Sequence, residues 1–450
     1  MSRLAAIVVD LGFGDSGKGT LTDWLVRHYQ ADWVVRYNGG AQAGHTVVEG
    51  DRRHTFAQFG AGTFSPGVRT FLSRHMLIHP PGLLREAEVL ASKGVPDALQ
   101  RLRVDPQALL LSPFHQAAGR LREVLRGPLR HGSCGLGIGE TMADALDHPE
   151  DALRAADLTS PQSMRRKLSA QQNRQWSRFA AQRRWLQASP EGARELAVLE
   201  SSQLAQQWIE LCTSLAQGLE LGPFPNQARS LVLEGAQGVL LDEWRGFHPH
   251  TTWSTCTLDN ALELLHDWPD PILKLAVLRC YATRHGAGPL PTESAELQLD
   301  EPDNPHGPWQ GAFRVGWPDA VLARYASRCC GPLDGLALTH LDRLQGSWKL
   351  ATAYRQCSDL PLGPLRDLDH QQRLTQLLQR AQPQYRQLPA SQLPEALAEQ
   401  LQLPLLWQSH GPEAGHKRQV NLGLWPKHQA YGRRGKEVPR VGRQGLSQPG

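Results

Sequence analysis

The first glycine-rich stretch of the chain is the feature that most constrains its fold. An apolar run at 5–9 leads into Gly12-Phe13-Gly14-Asp15-Ser16-Gly17-Lys18-Gly19-Thr20, and a run of helical character follows at 21–29. A strand, a glycine turn and a helix in this order bring backbone N–H groups and the positive end of a helix dipole to one point. The stretch therefore predicts a phosphate site, to which Lys18 adds a point charge.

The residue after Lys18 separates this loop from an ordinary P-loop. A P-loop has a serine or threonine there to hold magnesium, whereas this chain has Gly19. Asp15, inside the loop, is the carboxylate best placed to hold the metal instead, and it can also act as a base on a bound substrate. The alternative interpretation is a tight glycine turn with a solvated aspartate and lysine, and the bare pattern leaves it open.

Length and composition narrow the class of protein. The chain has 450 residues of mixed composition, enough for one large core or two ordinary ones. Its seven cysteines include no C-x-x-C pair, which argues against a disulfide framework and a zinc site. The apolar run near the N-terminus is too short for a signal sequence or a membrane span. These features predict a cytoplasmic protein without a membrane partner.

The positive charge of the chain is concentrated at its C-terminal end. Formal net charge is +4, but segment 417–450 carries eight Lys and Arg against Glu437 alone, a local +7, which leaves −3 for residues 1–416. The segment is rich in Gly and Pro and lacks apolar periodicity. We expect a catalytic domain over 1–416 and a disordered basic tail over 417–450, as a solvated tail or interface arm rather than a nucleic-acid site.

The rest of the chain alternates strand and helix signals, which predicts an α/β fold with helices packed on a sheet. Strand signals fall at 33–37, 230–234, 272–281 and 335–338. The stretch from about 157 to 217 is rich in Gln, Arg and Ala and predicts a helical excursion. The segment 363–402 is predicted to be helical, with breaks at its prolines 383, 389 and 394.

Four further polar stretches carry possible chemistry. Residues 36–46 crowd glycines around His45, so a ligand can approach the backbone beside a group that titrates near neutrality. Residues 234–238 end a strand with Gln237, where open α/β sheets bind ligands. Residues 283–289 form a polar loop after another strand. Residues 339–342 end with Asp342, which can accept hydrogen bonds from a guanine. Each has a structural alternative: a lone histidine, for example, is more often structural than catalytic.

Taken in order, these stretches make the chain resemble the adenylosuccinate synthetase family over most of 5–413, with gaps. The first loop matches G-D-E-G-K-G except at Ser16. Residues 35–46 match V-R-Y-x-G-G-x-x-A-G-H-T, and residues 234–242 match E-G-A-Q-G-x-L-L-D. Residues 281–293 and 316–317 are also family-like. The resemblance implies a P-loop-like nucleotide-binding fold with a large central, mostly parallel sheet.

The resemblance also implies a reaction. A GTP-dependent ligase of this kind phosphorylates O6 of IMP, and the amine of aspartate then displaces the phosphate. Asp15 would remove the N1 proton and, with the carbonyl of Gly40, hold Mg²⁺; His45 would hydrogen-bond or protonate an oxygen of the transferring phosphoryl group; and Lys18 would balance developing charge. Gln237 would hold the purine or the 6-phosphoryl group. The family further implies a homodimer.

The resemblance places a larger set of residues at the two nucleotides. They are Gly14, Ser16, Gly17, Gly19, Thr20, Asn38, Gly39, Ala41, Gln42, Ala43, Gly44, Ser133, Cys134, Thr252, Arg284, Arg314, His340, Asp342, Ser409, His410 and Gly411.

Departures from the family pattern fall at the substrate ends. Ser16 replaces a glutamate beside the nucleotide, and Ala41-Gln42 replaces a His-Asn pair. In residues 132–139 the family's G-T-T-G-R-G-I-G becomes G-S-C-G-L-G-I-G. His340 stands where the family has a lysine. No arginine lies at 148–150, where the family's neighbouring subunit lends one to the IMP phosphate; Arg154 is the nearest.

The aspartate loop departs most. The family has two threonines and a run of arginines before G-W, whereas residues 308–317 contain the single arginine Arg314. Charge-assisted hydrogen bonds contribute about 1.5–3 kcal/mol each, so losing several should weaken aspartate binding unless other groups replace them. The first hypothesis is therefore a ligase acting on IMP and aspartate. A paralogue with a different purine nucleotide or amine is the alternative, and a non-catalytic nucleotide-binding regulator is a third hypothesis that retention of Asp15, Lys18 and His45 disfavours.

Overall fold

The computed structural model of the protein describes residues 3–130, 132–299, 301, 304 and 311–421. Residues 308–310 of the predicted aspartate loop and 422–450 of the predicted tail lie outside this range. Within it, no helix is both long enough and apolar enough to cross a membrane.

The described residues form eighteen strands. They are β1 (Leu4–Asp10), β2 (Trp33–Arg36), β3 (His45–Glu49), β4 (Arg52–Phe56), β5 (Arg69–Leu72), β6 (Leu77–Ile78), β7 (Leu102–Val104), β8 (Leu109–Leu110), β9 (Glu220–Leu221), β10 (Ser230–Glu234), β11 (Ile272–Arg279), β12 (Ala282–His285), β13 (Phe313–Gly316), β14 (Gly335–Thr339), β15 (Ser347–Tyr354), β16 (Pro383–Pro389), β17 (Leu405–Ser409) and β18 (Lys417–Gln419).

The same residues form twelve α-helices. They are α1 (Lys18–Tyr29), α2 (Pro80–Ser92), α3 (Pro113–Arg126), α4 (Ile138–Asp147), α5 (Pro161–Arg178), α6 (Arg183–Gln187), α7 (Pro190–Glu200), α8 (Leu204–Ala216), α9 (Asp259–Leu264), α10 (Ala320–Cys330), α11 (Leu368–Gln379) and α12 (Leu393–Leu401).

A ten-stranded sheet runs through the molecule in the order β18-β17-β14-β11-β1-β10-β2-β5-β7-β9. Its strand pairs are parallel except for β17 with β18 at one edge. β1 lies between β10 and β11, and all of its residues from Ala5 to Asp10 are buried because helices and loops cover both faces. The prediction of a large, mostly parallel central sheet with flanking helices is confirmed.

The two faces of β1 belong to different apolar clusters. Ile7 and Val9 join the cluster beneath α10 and α12, whereas Ala6 and Val8 pack with Leu21 and its neighbours on α1. A third cluster joins α2, α3 and the four helices α5–α8. Those helices occupy the stretch 157–217, where the sequence predicts a helical excursion.

Two sequence predictions need correction. The segment 363–402 is not helical throughout, because β16 lies between α11 and α12 and pairs antiparallel with β15. Prolines at both ends of β16 disfavour helix and are tolerated at the ends of a two-stranded ladder. Regular structure also continues past the boundary predicted at 416, because β18 begins at Lys417 and pairs with β17.

Candidate active site

Four of the five polar stretches singled out in the sequence follow strands of the ten-stranded sheet, whereas the stretch 283–289 begins within β12, which pairs with β13 in a separate antiparallel ladder. Since β1, β2, β10, β14 and β17 run parallel, the loops after their carboxyl ends meet at one edge. A cross-link shows how closely two of them approach: the hydroxyl of Thr339, at the end of β14, donates to the carbonyl of Ser16 at 2.8 Å. Motifs separated by several hundred residues thus form one site.

A buried carboxylate that sequence reasoning missed organises the glycine loop. Asp10, the last residue of β1, accepts hydrogen bonds from the Gly12 N–H at 2.8 Å, the Ser16 hydroxyl at 2.7 Å and the Ser16 N–H at 3.2 Å. Its second oxygen also pairs with the Lys18 ammonium at 2.7 Å, and Asp10 is 2% exposed. The ammonium predicted to serve a phosphate is therefore already balanced by a carboxylate of the chain.

Asp15 projects from the same loop in an uncommon backbone conformation. Its φ is 59°, in the left-handed region that non-glycine residues adopt only where surrounding structure holds them. Its carboxylate is partly exposed, and one oxygen lies 3.5 Å from Nε2 of His285 on β12. The loop thus presents Asp15 at the open edge of the sheet while Asp10 lies beneath it.

His45 is oriented by a second buried carboxylate. Its Nδ1 lies 2.6 Å from Oε1 of Glu234, the last residue of β10, and Glu234 is fully buried. Burial raises the pKa of Glu234, but the His45 ring and the Arg36 guanidinium outweigh burial and lower it. Burial lowers the pKa of His45 against the opposing effect of Glu234. The pair fixes the proton on Nδ1 and leaves Nε2 as the ring atom not held by Glu234.

Backbone contacts bring His45 to the first turn of α1. A Cβ at Gly19 would lie 2.7 Å from the Cβ of His45, so only glycine allows this approach. The loop that carries Asp15 and Lys18 and the strand that begins with His45 are therefore fixed against each other.

The loop after β2 is tied to the loop after β10. The Asn38 side chain donates to the Ala236 carbonyl at 3.1 Å and accepts from the Ala236 N–H at 2.7 Å. A Cβ at Gly39, whose φ is 79°, would lie 2.9 Å from Oε1 of Gln237, and one at Gly40 would lie 2.8 Å from Oε1 of Gln42. Two carboxamides therefore lie against this glycine pair.

Those carboxamides have unsatisfied hydrogen-bonding capacity. Within the described part of the chain, both side-chain polar atoms of Gln42 and of Gln237 are buried without a hydrogen-bond partner. An unpaired buried amide costs about 1–3 kcal/mol, so four such atoms at one point are suited to a polar ligand. Gln237 itself has φ 55°, a second non-glycine residue at this edge in the left-handed region.

The predicted guanine end of the site lies after β14, with Asp342, and after β17, where residues 409–413 resemble the family's S-T-G-P-D, which packs on the guanine. Asp342 is exposed after β14, and Ser409 is buried at the end of β17, with its hydroxyl donating to the Gly411 carbonyl at 3.2 Å. His340 is turned to Arg279, which donates to its Nε2 at 2.8 Å. Burial, followed by the charges of Arg279 and Arg343, lowers the pKa of His340 well below its usual value, so the ring is neutral.

The second glycine-rich stretch presents an apolar surface near Gly40. Cys134 and Leu136 pack with Leu77 and Ile138, and a Cβ at Gly40 would lie 3.0 Å from Cδ1 of Ile138. Burial raises the pKa of the Cys134 thiol, which keeps it protonated. Ser133 is exposed. Where the resembling family has a hydroxyl and a guanidinium, this chain offers a thiol and an aliphatic side chain.

Both arginines predicted to contact ligands are engaged by the protein. Arg284 is buried and donates to the carbonyls of Ala287 at 3.0 Å, Pro289 at 3.2 Å and His250 at 3.1 Å. Burial and the nearby Arg314 lower the pKa of Arg284 to about 9.

Arg314 pairs through Nε with Glu293 at 2.9 Å and donates to the carbonyls of Gly286 and Gly288 at 3.0 and 2.9 Å. The guanidinium groups of Arg284 and Arg314 therefore hold the loop 286–289 through its backbone carbonyls.

The remaining predicted positions are located by backbone contacts or by their exposure. Ala43 donates its N–H to the Gly40 carbonyl at 3.2 Å, Gly44 is exposed, and Ala41 follows Gly40 in the chain. Thr252 donates its N–H to the Leu241 carbonyl at 2.8 Å. Gly14 lies on Gln237, since a Cβ at Gly14 would lie 3.7 Å from the Gln237 backbone, and Gly17, with φ 80°, caps α1.

The residues present suit Mg²⁺ bound together with a nucleotide. Among the described residues there is no group of three or more His, Cys, Asp or Glu side chains that could hold a metal ion by itself. Mg²⁺ commonly takes one or two protein oxygens and completes its shell with phosphates and water. The partly exposed Asp15 carboxylate and the Gly40 carbonyl are oxygens of the required type.

Comparison with known proteins decides the family. A sequence model of adenylosuccinate synthetase matches residues 7–405. The chain belongs to the adenylosuccinate synthetase family. The adenylosuccinate synthetase of Neisseria gonorrhoeae (strain ATCC 700825 / FA 1090) is 32% identical over 347 residues, covering 76% of this chain and 77% of the relative. That of Thermobifida fusca (strain YX) is 34% identical over 349 residues, covering 76% and 78%. The prediction of a family of GTP-dependent ligases of purine biosynthesis is confirmed.

Two solved structures have the same fold as this chain. The fully ligated adenylosuccinate synthetase from Plasmodium falciparum has a TM-score of 0.70 at 21% identity and covers 93% of this chain and 100% of that one. The cyanophage S-2L succinoaminodeoxyadenylate synthetase, bound to dGMP and to dATP as an energy donor, has a TM-score of 0.57 at 17% identity and covers 93% and 96%. At these sequence identities, the likeness shows a shared fold and nothing finer.

Proposed function

We propose that this protein uses GTP and Mg²⁺ to phosphorylate the 6-oxo group of a purine nucleotide, IMP in the simplest case. The amine of aspartate then attacks C6 and displaces the phosphate. The observation that carries the proposal is the packing of His45, oriented by buried Glu234, on the loop of Asp15 and Lys18. A protein that only binds nucleotide has no use for a base, an oriented imidazole and a balanced ammonium at one edge.

Asp15 and His45 divide the proton chemistry. The Asp15 carboxylate accepts the N1 proton of the purine, which makes O6 nucleophilic toward the donor phosphoryl group. The negative charge of that group favours protonation of His45, whose Nδ1–H remains on Glu234 while Nε2 hydrogen-bonds a phosphoryl oxygen. The unpaired carboxamides of Gln42 and Gln237 supply donors and acceptors to the purine or its 6-phosphoryl group.

Lys18 and magnesium share the remaining charge. When bound at Asp15 and the Gly40 carbonyl, Mg²⁺ would neutralise phosphate charge during transfer. Because Lys18 is already paired with Asp10 at 2.7 Å, its ammonium contributes as a shared hydrogen-bond donor rather than as an uncompensated charge.

We further propose a cytoplasmic homodimer, on the resemblance to the family. Arg154, the arginine nearest to the position that a neighbouring subunit uses in the resembling family, donates to the Gln107 carbonyl at 2.9 Å. It would have to leave that carbonyl to contact a phosphate across an interface.

A second candidate keeps the phosphoryl chemistry and changes the substrate. The apolar surface of Cys134, Leu136 and Ile138 beside Gly40, together with the engagement of Arg314 by Glu293, favours a different purine nucleotide, such as a guanine or deoxy nucleotide, or a different amine. Specificity of this kind follows from pocket groups that a competing substrate leaves unpaired.

The deciding experiment is a substrate panel. IMP, GMP and their deoxy forms are each incubated with GTP, Mg²⁺ and one of several amino acids, and products are identified by mass. Product from IMP and aspartate alone supports the first proposal, and product from another nucleotide or amine supports the second candidate. If GTP binds but no combination of nucleotide and amino acid releases phosphate, both proposals are contradicted and a nucleotide-binding regulator is favoured. Omitting Mg²⁺ is the control for the metal and should abolish phosphate release.

A further inference from the structure

The turn between β17 and β18 is fastened to the start of α1. Ser409 and Lys417 are paired across the two strands, and residues 410–416 form the turn between them. The hydroxyl of Thr20, in the first turn of α1, donates to the Pro412 carbonyl. The same turn contacts β3 through a bridge between Val48 and Glu413. The turn, which carries His410 and Gly411 of the predicted guanine end, is therefore attached to the helix that follows the phosphate loop.

A buried lysine provides most of this attachment. The ammonium of Lys417 donates to the Gly411 carbonyl at 2.9 Å, the Glu413 carbonyl at 2.8 Å and the Thr20 hydroxyl, so all three of its protons are used. Lys417 is 8% exposed, whereas its neighbour Arg418 is exposed. Lysines are rarely buried unless their charge is satisfied, so this one holds two parts of the chain together at the cost of its own solvation.

Burial and neighbouring carboxylates have opposite effects on the pKa of Lys417. Burial lowers its pKa to about 7, while Asp23 on α1, Asp342 after β14 and Glu413 in the turn oppose that shift. His340 interacts electrostatically with Lys417, and His416 and Arg418 flank it in the chain. Arg343 and His410 act one step further away, through His340 and Asp342.

We propose that Lys417 is a positioning residue for the donor nucleotide, because its ammonium joins the turn that carries Ser409, His410 and Gly411 to the first turn of α1. The inference rests on the proposed function only in taking these two parts as the two ends of the donor site. Lys417 need not touch the donor itself. Lys417 sets the distance between the turn that binds the base of the donor and helix α1, which binds its phosphates.

Protonation of Lys417 then couples to donor binding. Below its pKa the ammonium makes three bonds, and above it the neutral amine has one proton fewer, so the turn is held less firmly as pH rises through neutrality. A polyanion at the N-terminus of α1 stabilises the ammonium and raises its pKa. Because the pKa of Lys417 is about 7 without the donor and is raised by it, donor binding takes up a proton at pH values above 7, and donor affinity falls as pH rises.

The test compares the full-length wild type with Lys417→Met, which keeps the length of the side chain and removes its charge. Binding of fluorescent GTP and ATP analogues is titrated from pH 6.0 to 8.5, and proton uptake is measured by calorimetry in two buffers of different ionisation enthalpy. In K417M the Kd for the donor at pH 6 should rise about tenfold, as for the loss of one charge-assisted hydrogen bond, and should no longer change with pH. Proton uptake at pH 7.5 should disappear, while kcat at saturating donor and KM for the acceptor nucleotide stay unchanged.

Controls separate positioning from general effects. Arg418→Met removes the positive charge of an exposed side chain that is adjacent to Lys417 in the chain. This variant should retain the wild-type Kd, its pH dependence and proton uptake. Thr20→Val removes the hydroxyl at the other end of the attachment and should weaken donor binding in the same direction, which keeps the inference testable if K417M does not fold. Donor binding and proton uptake in K417M equal to wild type would overturn the inference and leave the proposed function intact. A wild type that binds neither nucleotide would overturn both.

Discussion

Asp15 is held with φ 59°, and this conformation determines which substitution tests its role. Asparagine tolerates the left-handed region better than most residues, so Asp15→Asn removes the base without straining the loop. We expect kcat for GTP-dependent phosphate release to fall by about 10²–10⁴, the usual contribution of a general base, while the fluorescent donor still binds.

The matched control is Asp51→Asn, which changes an exposed aspartate in the turn between β3 and β4. It should leave kcat unchanged. Turnover that persists in Asp15→Asn would show that another group removes the N1 proton.

Residues that act through other residues were the hardest to predict from the sequence. Asp10 and Glu234 end apolar strands that the sequence predicts correctly, but their partners, Lys18 and His45, lie 8 and 189 residues away. Conversely, the resemblance to the family places Arg284 and Arg314 at the ligands. The structure gives both of them backbone carbonyls as acceptors, and a sequence shows which donors a chain has but not which acceptors lie nearest.

At the scale of an element, α10 begins at a carboxyl group whose burial makes it sensitive to pH. Asp319 caps the helix by accepting from the N–H groups of Val321 at 3.0 Å and Leu322 at 3.1 Å, and it accepts from the Tyr354 hydroxyl at 2.6 Å. Burial raises its pKa to about 6, although these hydrogen bonds oppose the shift. Its protonation therefore stabilises the fold at low pH, and this stabilisation is lost as pH rises through 6.

Asp319→Asn should remove that pH dependence while retaining an oxygen to cap α10. Between pH 5 and pH 7.5 the free energy of unfolding of the wild type should fall relative to that of the variant by about 1 kcal/mol. Urea unfolding of both proteins at several pH values measures the difference. The control is Asp259→Asn, which removes the carboxylate of an exposed aspartate in the first turn of α9. A difference in unfolding free energy that does not change with pH would contradict the assignment.

The elements themselves follow from local sequence unless a long-range partner intervenes. β1, β10, β11 and β14 are runs of apolar residues and lie where the sequence predicts them. β16 was not predicted, because its residues gain their strand conformation by pairing with β15, about 30 residues earlier in the chain. Pairing across such a distance leaves no periodic signal in a segment rich in Gln and Leu.

At the scale of the whole molecule, the order of the motifs predicts the site better than any single motif does. Four of the five polar stretches, those after β1, β2, β10 and β14, follow parallel strands of one sheet, so topology alone brings them to one edge. The end of the domain was harder to place, because β18 lies in a basic stretch whose composition predicts disorder. Lys417 contributes to that positive charge in the sequence, yet it is buried among carbonyl groups in the structure.

Two truncations distinguish the edge strand from the tail. The Val420 N–H donates to the Leu406 carbonyl at 2.9 Å and the Asn421 side chain donates to the Leu405 carbonyl at 2.7 Å, so contacts with β17 continue to the last described residue. Ending the chain after Asn421 should leave Tm and donor affinity unchanged. Ending it after His416 removes β18 and Lys417 and should lower both, since each lost hydrogen bond costs about 1 kcal/mol.

Scanning fluorimetry and donor titration measure these two effects, and titration with duplex DNA at two salt concentrations follows any nucleic-acid binding by the same proteins. Because we expect residues 422–450 to be dispensable for the site, equal losses in the two truncations would contradict the boundary placed after Asn421. An affinity for DNA that falls with salt, as release of counterions requires, and disappears when residues 422–450 are removed would instead assign the basic tail to nucleic acid.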